Sequence, residues 1–336
     1  MSKYLTFALL LLTSIALAPL TACAPQGFTV NLRPAENQFE EVVVIAPERS
    51  TRNKVALIDV SGVIANADTG GLFGGGANPV SEFAEQLAKA ERDDRVKAIL
   101  IRIDSPGGSV MATEAMFQEA VRFKAKTGKP VVAQMMTTAA SGGFFLACAA
   151  DEVWAYHSTV TGSIGVIMQL VSVKPALDRW GVEATTIASG ANKPAGSPLT
   201  QLEDAQREVF ASLVDEFYAG FVAVVRERRP DLTDDEIATL ADGRVLSGQQ
   251  AQAAGLIDRV GTLRESAARA AELAGLDRAN LVRYRRPLTY VGSPYATAPA
   301  GAPVGEVEVN LVQLQLDGVT GPTSGFYYLW APGLLD

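Results

Sequence analysis

Residues 137–153, TTAASGGFFLACAADEV, set Ser141 between a β-rich run and an apolar helical run, with Gly142 and Gly143 directly after it. A serine at a strand-to-helix turn projects its hydroxyl into the crevice above the strand ends, where α/β folds keep their sites. The helix dipole modestly favours negative charge developing there, and the two glycines let a substrate backbone come close. Two roles fit this serine: a nucleophile for acyl transfer, or an N-cap for the helix that follows. A second turn, SPGGS at 105–109, ends another apolar run. Its consecutive glycines, Gly107 and Gly108, can aim two backbone N–H groups the same way, as an oxyanion hole requires, or can simply reverse the chain.

A nucleophilic serine needs something to take its proton. The sequence holds one histidine, His157. With Asp151 or Asp104 it would make a Ser-His-Asp arrangement, but it stands just after a strand with no motif around it, and a structural or exposed histidine fits that place better. Cys148 lies inside the apolar helix and reads as a small core residue. No His/Cys/carboxylate cluster has metal-ligand spacing, and neither a phosphate loop nor a dinucleotide fingerprint occurs, so no metal and no cofactor is expected.

The elements that must hold these residues follow a regular rhythm. KVALIDVSGVI (54–64) is β-rich and VSEFAEQLAKAERD (80–93) has helical spacing. VKAILIRID (96–104) is nearly continuous in apolar residues, the mark of a strand buried on both faces. A helix over about 110–126, a strand in GKPVVAQM (128–135), the Ser141 segment and EVWAY (152–156) come next. This alternation predicts an α/β fold with a parallel sheet and helices on its faces. Helices are expected over 200–229 and 232–241, a capped helix and turn over 246–258, and a helix over 259–275 ending at Gly275. The segment at 68–79 is Gly-rich, EVVVIAP (41–47) fits an edge strand, and VEVNLVQLQLDGV (307–319) alternates like a strand.

The bulk properties narrow the classes. At 336 residues, 48% hydrophobic and 20% charged, the chain is globular with ample core. A net charge of −8 argues against nucleic acid. Lys3 followed by the uncharged stretch 4–20 and then Thr21-Ala22-Cys23 has the form of a secretory signal, too short and too Pro-interrupted for a membrane span. Leu20-Thr21-Ala22-Cys23 resembles the bacterial lipobox, in which the cysteine is lipidated and becomes the mature N-terminus; the alternative is a plain signal peptide with an incidental cysteine. With Cys23 used this way, Cys148 has no disulfide partner. The expected organisation is a lipoprotein signal peptide at 1–22, a tether at 23–52, a catalytic domain at 53–275 and a C-terminal extension at 276–336.

Five segments occur in one order: IRIDSPGGSV, AASGG, TVTGSIGVIMQ (159–169), ASGANKPAGSP (188–198) and ADGRVLSGQQAQAAGLIDRVG (241–261). Together they resemble the signal peptide peptidase A family of membrane-associated serine peptidases, in its short single-domain form, over roughly residues 54–275. The resemblance implies a serine–lysine dyad. The nucleophile of the SGG motif falls on Ser141, the base that closes SGxxK falls on Lys193, and the serine that orients the lysine amine falls on Ser163. The implied oxyanion donors are the backbone N–H groups of Gly107 or Gly108 and of Gly142. An ordinary lysine, with a pKa near 10.4, is charged at neutral pH and must be desolvated to act as a base; by itself Lys193 reads equally as a surface lysine on a loop.

The resemblance also implies the fold of the Clp protease subunit and crotonase, with stacked β–β–α units and helices that pack on neighbouring subunits. Ring-shaped homo-oligomers, commonly octamers, are implied, with the serine and lysine of one site coming from adjacent protomers. The broadly apolar VFASLVDEFYAGFVAVV (209–225) suits such a contact. The implied substrates are apolar extended peptides such as remnant signal peptides, bound by strand addition. The implied location is lipid-anchored at a bacterial membrane, on its periplasmic or extracytoplasmic face. Two alternatives from other classes are a crotonase-type acyl-CoA enzyme and a non-catalytic lipoprotein scaffold. The C-terminal FYYLWAP has no assigned role.

Overall fold

In a computed structural model, which describes residues 39–66, 78–286 and 325–330, the apolar run at 96–105 becomes the central strand of a nine-stranded, mostly parallel sheet. Its strands include β1 (Glu40–Ile45), β2 (Lys54–Ser61), β3 (Val96–Ser105), β5 (Val131–Ala140), β6 (Glu152–Ala155), β10 (Arg259–Val260) and β11 (Asn280–Arg285), in the order β1-β11-β2-β3-β5-β6-β10. The four central strands, β2, β3, β5 and β6, run parallel to one another, as the strand–helix rhythm predicts. β1 closes one edge antiparallel to β11. It lies within the 23–52 stretch read as a tether, at the place where EVVVIAP has strand character.

Alternate residues of the central strands feed two cores. Ile99, Ile101 and Ile103 pack toward α1 (Pro79–Arg92), α2 (Val110–Thr127), α3 (Gly142–Ala147) and α5 (Asp204–Arg228), through residues such as Phe83, Met116, Phe144 and Phe221. Ala98 and Leu100 face the opposite way, onto Leu263, Ala270 and Ala271 of α8 (Leu263–Leu273). Because both faces are covered, Ile99, Leu100, Ile101 and Ile103 are all fully buried. Truncating any one of them to alanine removes about 2–5 kcal/mol.

The helices start and stop on local signals. The Asn78 side chain accepts from the N–H groups of Val80 and Ser81 and caps α1, with Pro79 in its first turn. Ser109 caps α2, which ends at Gly128 in the left-handed conformation. The helix expected over 200–229 is α5, the next is α6 (Asp234–Leu240), and the 246–258 stretch opens with β9 (Val245–Ser247) before α7 (Gly248–Ala253). α4 (Lys174–Arg179) is a short helix among exposed residues.

Three short strands make a second sheet: β4 (Gly107–Ser109), β12 (Gly325–Leu329) and β8 (Ile167–Gln169), with β12 in the middle and antiparallel to both neighbours. β12 is the FYYL of the C-terminal extension. Cys23, the signal segment, most of the Gly-rich stretch and the strand expected at 307–319 lie outside the described residues. Among the described residues, no helix is long and apolar enough to cross a membrane.

Candidate active site

β5 and β7 (Val160–Gly162) run side by side in parallel, pairing Ala140 with Gly162. Each strand is followed at once by a serine, Ser141 or Ser163. These are the two non-glycine residues with positive φ among the described residues, at 51° and 49°. A side chain in that region costs of order 1–3 kcal/mol and persists only where the surroundings enforce it. Here they do. The Ser141 N–H donates to the Gly162 carbonyl (2.8 Å), while the Ser141 carbonyl accepts from the Phe145 N–H (2.9 Å) as the first bond of α3. The Ser163 N–H donates to the Arg244 carbonyl (2.7 Å). Ser141 is the N-cap residue of α3 by position, but its side chain makes no capping bond. Its hydroxyl is left for another use, and the residue is 1% exposed.

The SPGG turn lies against this serine. An added Cβ at Gly107 would meet the Tyr328 carbonyl oxygen and come within 2.7 Å of the Gly142 nitrogen, so the Gly107 and Gly142 backbones are in direct apposition. Gly107 also has φ +103°, which only glycine takes readily. A Cβ at Gly142 would lie 2.7 Å from Thr113 Oγ1, and one at Gly143 would lie 2.7 Å from the Ser105 carbonyl. The Gly107 N–H is already committed to Ser105 Oγ (3.1 Å), and Ser105 Oγ donates in turn to the Gly62 carbonyl (2.6 Å). That leaves Gly108 as the glycine of the pair whose N–H faces the opposing strand.

Ser141, Ser163, Gly107, Gly108 and Gly142 are therefore brought together at the ends of β3, β5 and β7. Lys193 is not buried with them. It sits in a turn-rich loop with its N–H donating to the Gly190 carbonyl (3.1 Å), and it is exposed in the single chain. That loop is held to α5 by Gln206, whose Nε2 donates to the Ala191 carbonyl (2.6 Å). His157 is exposed. Asp151 accepts from the Val131 N–H and pairs with Lys124, and Asp104 accepts from the Thr138 N–H. Each of the two acids proposed for a histidine triad thus has a structural task. Cys148 is buried, and burial pushes its thiol up to about 12, well away from a reactive thiolate.

Residues 123–277 match peptidase family S49, and residues 77–160 match the Clp protease family. An Enterococcus faecium chain assigned as signal peptide peptidase SppA is 31% identical over 248 residues, 74% of this chain and 72% of its own length. The chain belongs to the signal peptide peptidase A family. Protease 4 of Haemophilus influenzae is 31% identical over 242 residues, 70% of this chain but 38% of its own. The chloroplastic serine protease SPPA of Arabidopsis thaliana is 32% identical over 242 residues, 71% of this chain and 35% of its own.

As a signal peptide peptidase A family member the protein is a serine peptidase on a Clp protease/crotonase-like α/β fold. Both alternatives, the acyl-CoA enzyme and the non-catalytic scaffold, give way to that chemistry. Sequence reasoning missed three supports of this candidate site. Ser105 and Arg244 lie inside quoted motifs without a role, although a hydroxyl beside Pro-Gly-Gly and the residue directly before a strand-forming VLS are where such backbone ties arise. Tyr328, whose carbonyl abuts Gly107, lies in the unassigned C-terminal segment.

Proposed function

We propose that the protein is a membrane-tethered serine endopeptidase in which Ser141 attacks a peptide carbonyl and Lys193 of a neighbouring copy is its general base. The observation that carries this reading is Ser141 itself: a buried serine held at φ 51°, without a capping bond, against the backbones of Gly107 and Gly142. A structural cap would need neither the strain nor the idle hydroxyl.

In this reading the Lys193 amine takes the Ser141 proton and the alkoxide adds to the carbonyl carbon. The backbone N–H groups of Gly108 and Gly142 hold the oxyanion. Lys193 then returns the proton to the leaving amine, and water releases the acyl-enzyme. Ser163 orients the amine. The exposure of Lys193 in one chain is supported by its surroundings, because Val171, Val173, Trp180, Val182, Ile187 and Leu199 also stand exposed around it in sequence. A second copy covering that apolar segment would desolvate the loop, and desolvation disfavours the charged ammonium. Cys23 carries the lipid, the assembly is a ring of the octameric kind, and the substrates are apolar peptides such as released signal peptides at the extracytoplasmic face.

The test is labelling with a serine-directed fluorophosphonate, together with product masses from a defined apolar peptide. Wild type is expected to label and cleave, Ser141→Ala to lose both, and Lys193→Ala to lose cleavage. Undiminished cleavage by Lys193→Ala would remove the dyad.

A further inference from the structure

A threonine inside a helix usually turns its hydroxyl onto its own backbone. Thr127 of α2 donates to the Phe123 carbonyl (2.8 Å) and Thr239 of α6 to the Asp235 carbonyl (2.8 Å), each four residues back. Thr113, near the start of α2, does not. It is fully buried, and its Oγ1 has no hydrogen-bond partner. Three other serines and threonines among the described residues are as deeply buried, and each is satisfied. Ser105 donates to the Gly62 carbonyl, Thr161 to that of Ala139 and Ser266 to that of Leu263. The idle hydroxyl of Thr113 is therefore a departure from how this fold treats buried polar groups, and it weakens the folded chain.

The Thr113 oxygen stands beside Gly142. A Cβ on Gly142 would lie 2.7 Å from Thr113 Oγ1 and 3.1 Å from both the Gly107 Cα and the Tyr328 carbonyl oxygen. A Cβ on Gly107 would in turn lie 2.7 Å from the Gly142 nitrogen. The two bare α-carbons thus face each other next to the Gly142 N–H, with a hydroxyl on the wall of the space between them. Ala112 and Met116, also on the buried face of α2, are 0% and 1% exposed, so packing fixes the helix that carries this hydroxyl. A donor that finds its acceptor only when negative charge forms lowers the barrier without tightening the binding of substrate. Away from water such a bond is also stronger than in solution.

We propose that the Thr113 hydroxyl is a third donor to the oxyanion, beside the backbone N–H groups of Gly108 and Gly142. The inference rests on the reading of Ser141 as nucleophile, because the charge it meets forms on the carbonyl oxygen that Ser141 attacks. It gives the buried hydroxyl a partner that arrives with the reaction. It also accounts for glycine directly after the serine, since a side chain at position 142 would fill the space that the hydroxyl faces.

The experiment uses the full-length chain and two pairs of proteins that differ by the hydroxyl. Wild type is compared with Thr113→Val, which has the same shape, and Thr113→Ser with Thr113→Ala, which adds no bulk. The second pair decides by itself if valine disturbs folding. The measurements are kcat and KM on a defined apolar peptide and the rate of labelling by the fluorophosphonate. The hydroxyl-free member of each pair is expected to have kcat about tenfold or more below its partner, with KM unchanged. Its labelling is expected to slow by a similar factor, because the phosphonyl oxygen takes the place of the oxyanion. Thr113→Ser is expected to keep most of the wild-type kcat. Equal kcat within the pairs, or a loss carried by KM alone, would overturn the third donor. The nucleophile has its own test: labelling that persists in Ser141→Ala removes that reading, whereas undiminished rates in Thr113→Val and Thr113→Ala with Ser141→Ala inert remove the third donor only.

Discussion

The backbone N–H of Ser141 donates to the carbonyl of Gly162 at 2.8 Å, which ties the end of β5 to the end of β7 one residue before Ser163. Two strained serines thus share one anchor. A shift of either turn moves the other, and Ser163, through its own N–H to Arg244, extends the anchorage to the DGRVLS segment. The site is built from backbone, with the strain stored at the residues that need a fixed direction.

That strain is measurable. Ser141→Gly removes the side chain that disfavours φ 51°, whereas Ser141→Ala keeps a Cβ there. After allowing for the extra freedom of glycine in the unfolded chain, the glycine variant is expected to be more stable than the alanine variant by about 1 kcal/mol. Both lose phosphonate labelling. Thermal or urea unfolding of the two variants side by side checks this, and an alanine variant as stable as the glycine one would mean the turn is unstrained.

The glycines near Ser141 differ in what surrounds them. A methyl at Gly142 meets the Thr113 side-chain oxygen at 2.7 Å and, less closely, the Gly107 Cα and the Tyr328 carbonyl, each at 3.1 Å, whereas a methyl at Gly108 runs into the Ile64 backbone carbonyl. Thr113 can turn and β12 can shift, but the bridge between Ile64 and Gly108 cannot move without breaking. Gly142→Ala is expected to fold with a loss of about 1–3 kcal/mol and with catalysis reduced, while Gly108→Ala loses more stability than that. Urea midpoints rank the two.

The parallel sheet was legible because β3 is apolar at nearly every position, and a strand buried on both faces leaves few other readings. Ser141 was legible as a position, while local sequence alone left its role open between cap and nucleophile and only the family resemblance chose; the facts that favour the nucleophile, its φ and its unused hydroxyl, are tertiary. Gly107 and Gly108 were indistinguishable in sequence. The Ser105 hydroxyl separates them by taking the Gly107 N–H. Tyr328 was out of reach because its partners, Gly108, Phe145 and Phe221, are all more than a hundred residues away in the chain, and nothing in FYYLWAP states which edge it will join.

A half-buried ionic junction contributes to the loss of stability in acid. Asp258 accepts from Arg229 (2.7 Å), from Arg228 (2.9 Å) and from the Val153 N–H (2.6 Å), which fixes the end of α5 to β6. Burial alone would raise its carboxyl pKa, but these donors, Arg229 foremost, hold it below the ordinary value. A carboxylate depressed in the folded state contributes stability that is complete above its unfolded pKa, about 3.9, and is lost as the pH falls through the folded value. Asp258→Asn is therefore expected to cost roughly 2–3 kcal/mol at pH 7 and to flatten the loss of stability below about pH 4. Urea unfolding at pH 7 and at pH 3 measures both; an asparagine variant whose stability falls with acid as steeply as wild type would place the sensitivity elsewhere.

A dyad shared between copies, as proposed, makes a prediction that no intrachain dyad shares. Ser141 is buried and Lys193 is exposed in one chain, so each single variant, Ser141→Ala or Lys193→Ala, leaves the other partner intact on its own copy. If one copy supplies serine and its neighbour lysine, random co-assembly in equal amounts rebuilds a complete pair at about a quarter of the sites. Co-expressed Ser141→Ala and Lys193→Ala chains are therefore expected to recover up to about a quarter of wild-type peptide cleavage, although each is inactive alone. Lys193→Ala by itself should unfold at the wild-type midpoint when dilution has separated the copies, because its side chain is exposed there. Peptide cleavage by the mixed, co-purified assembly is the measurement. No recovery from an assembly shown by mass to contain both variants would place serine and lysine on the same chain.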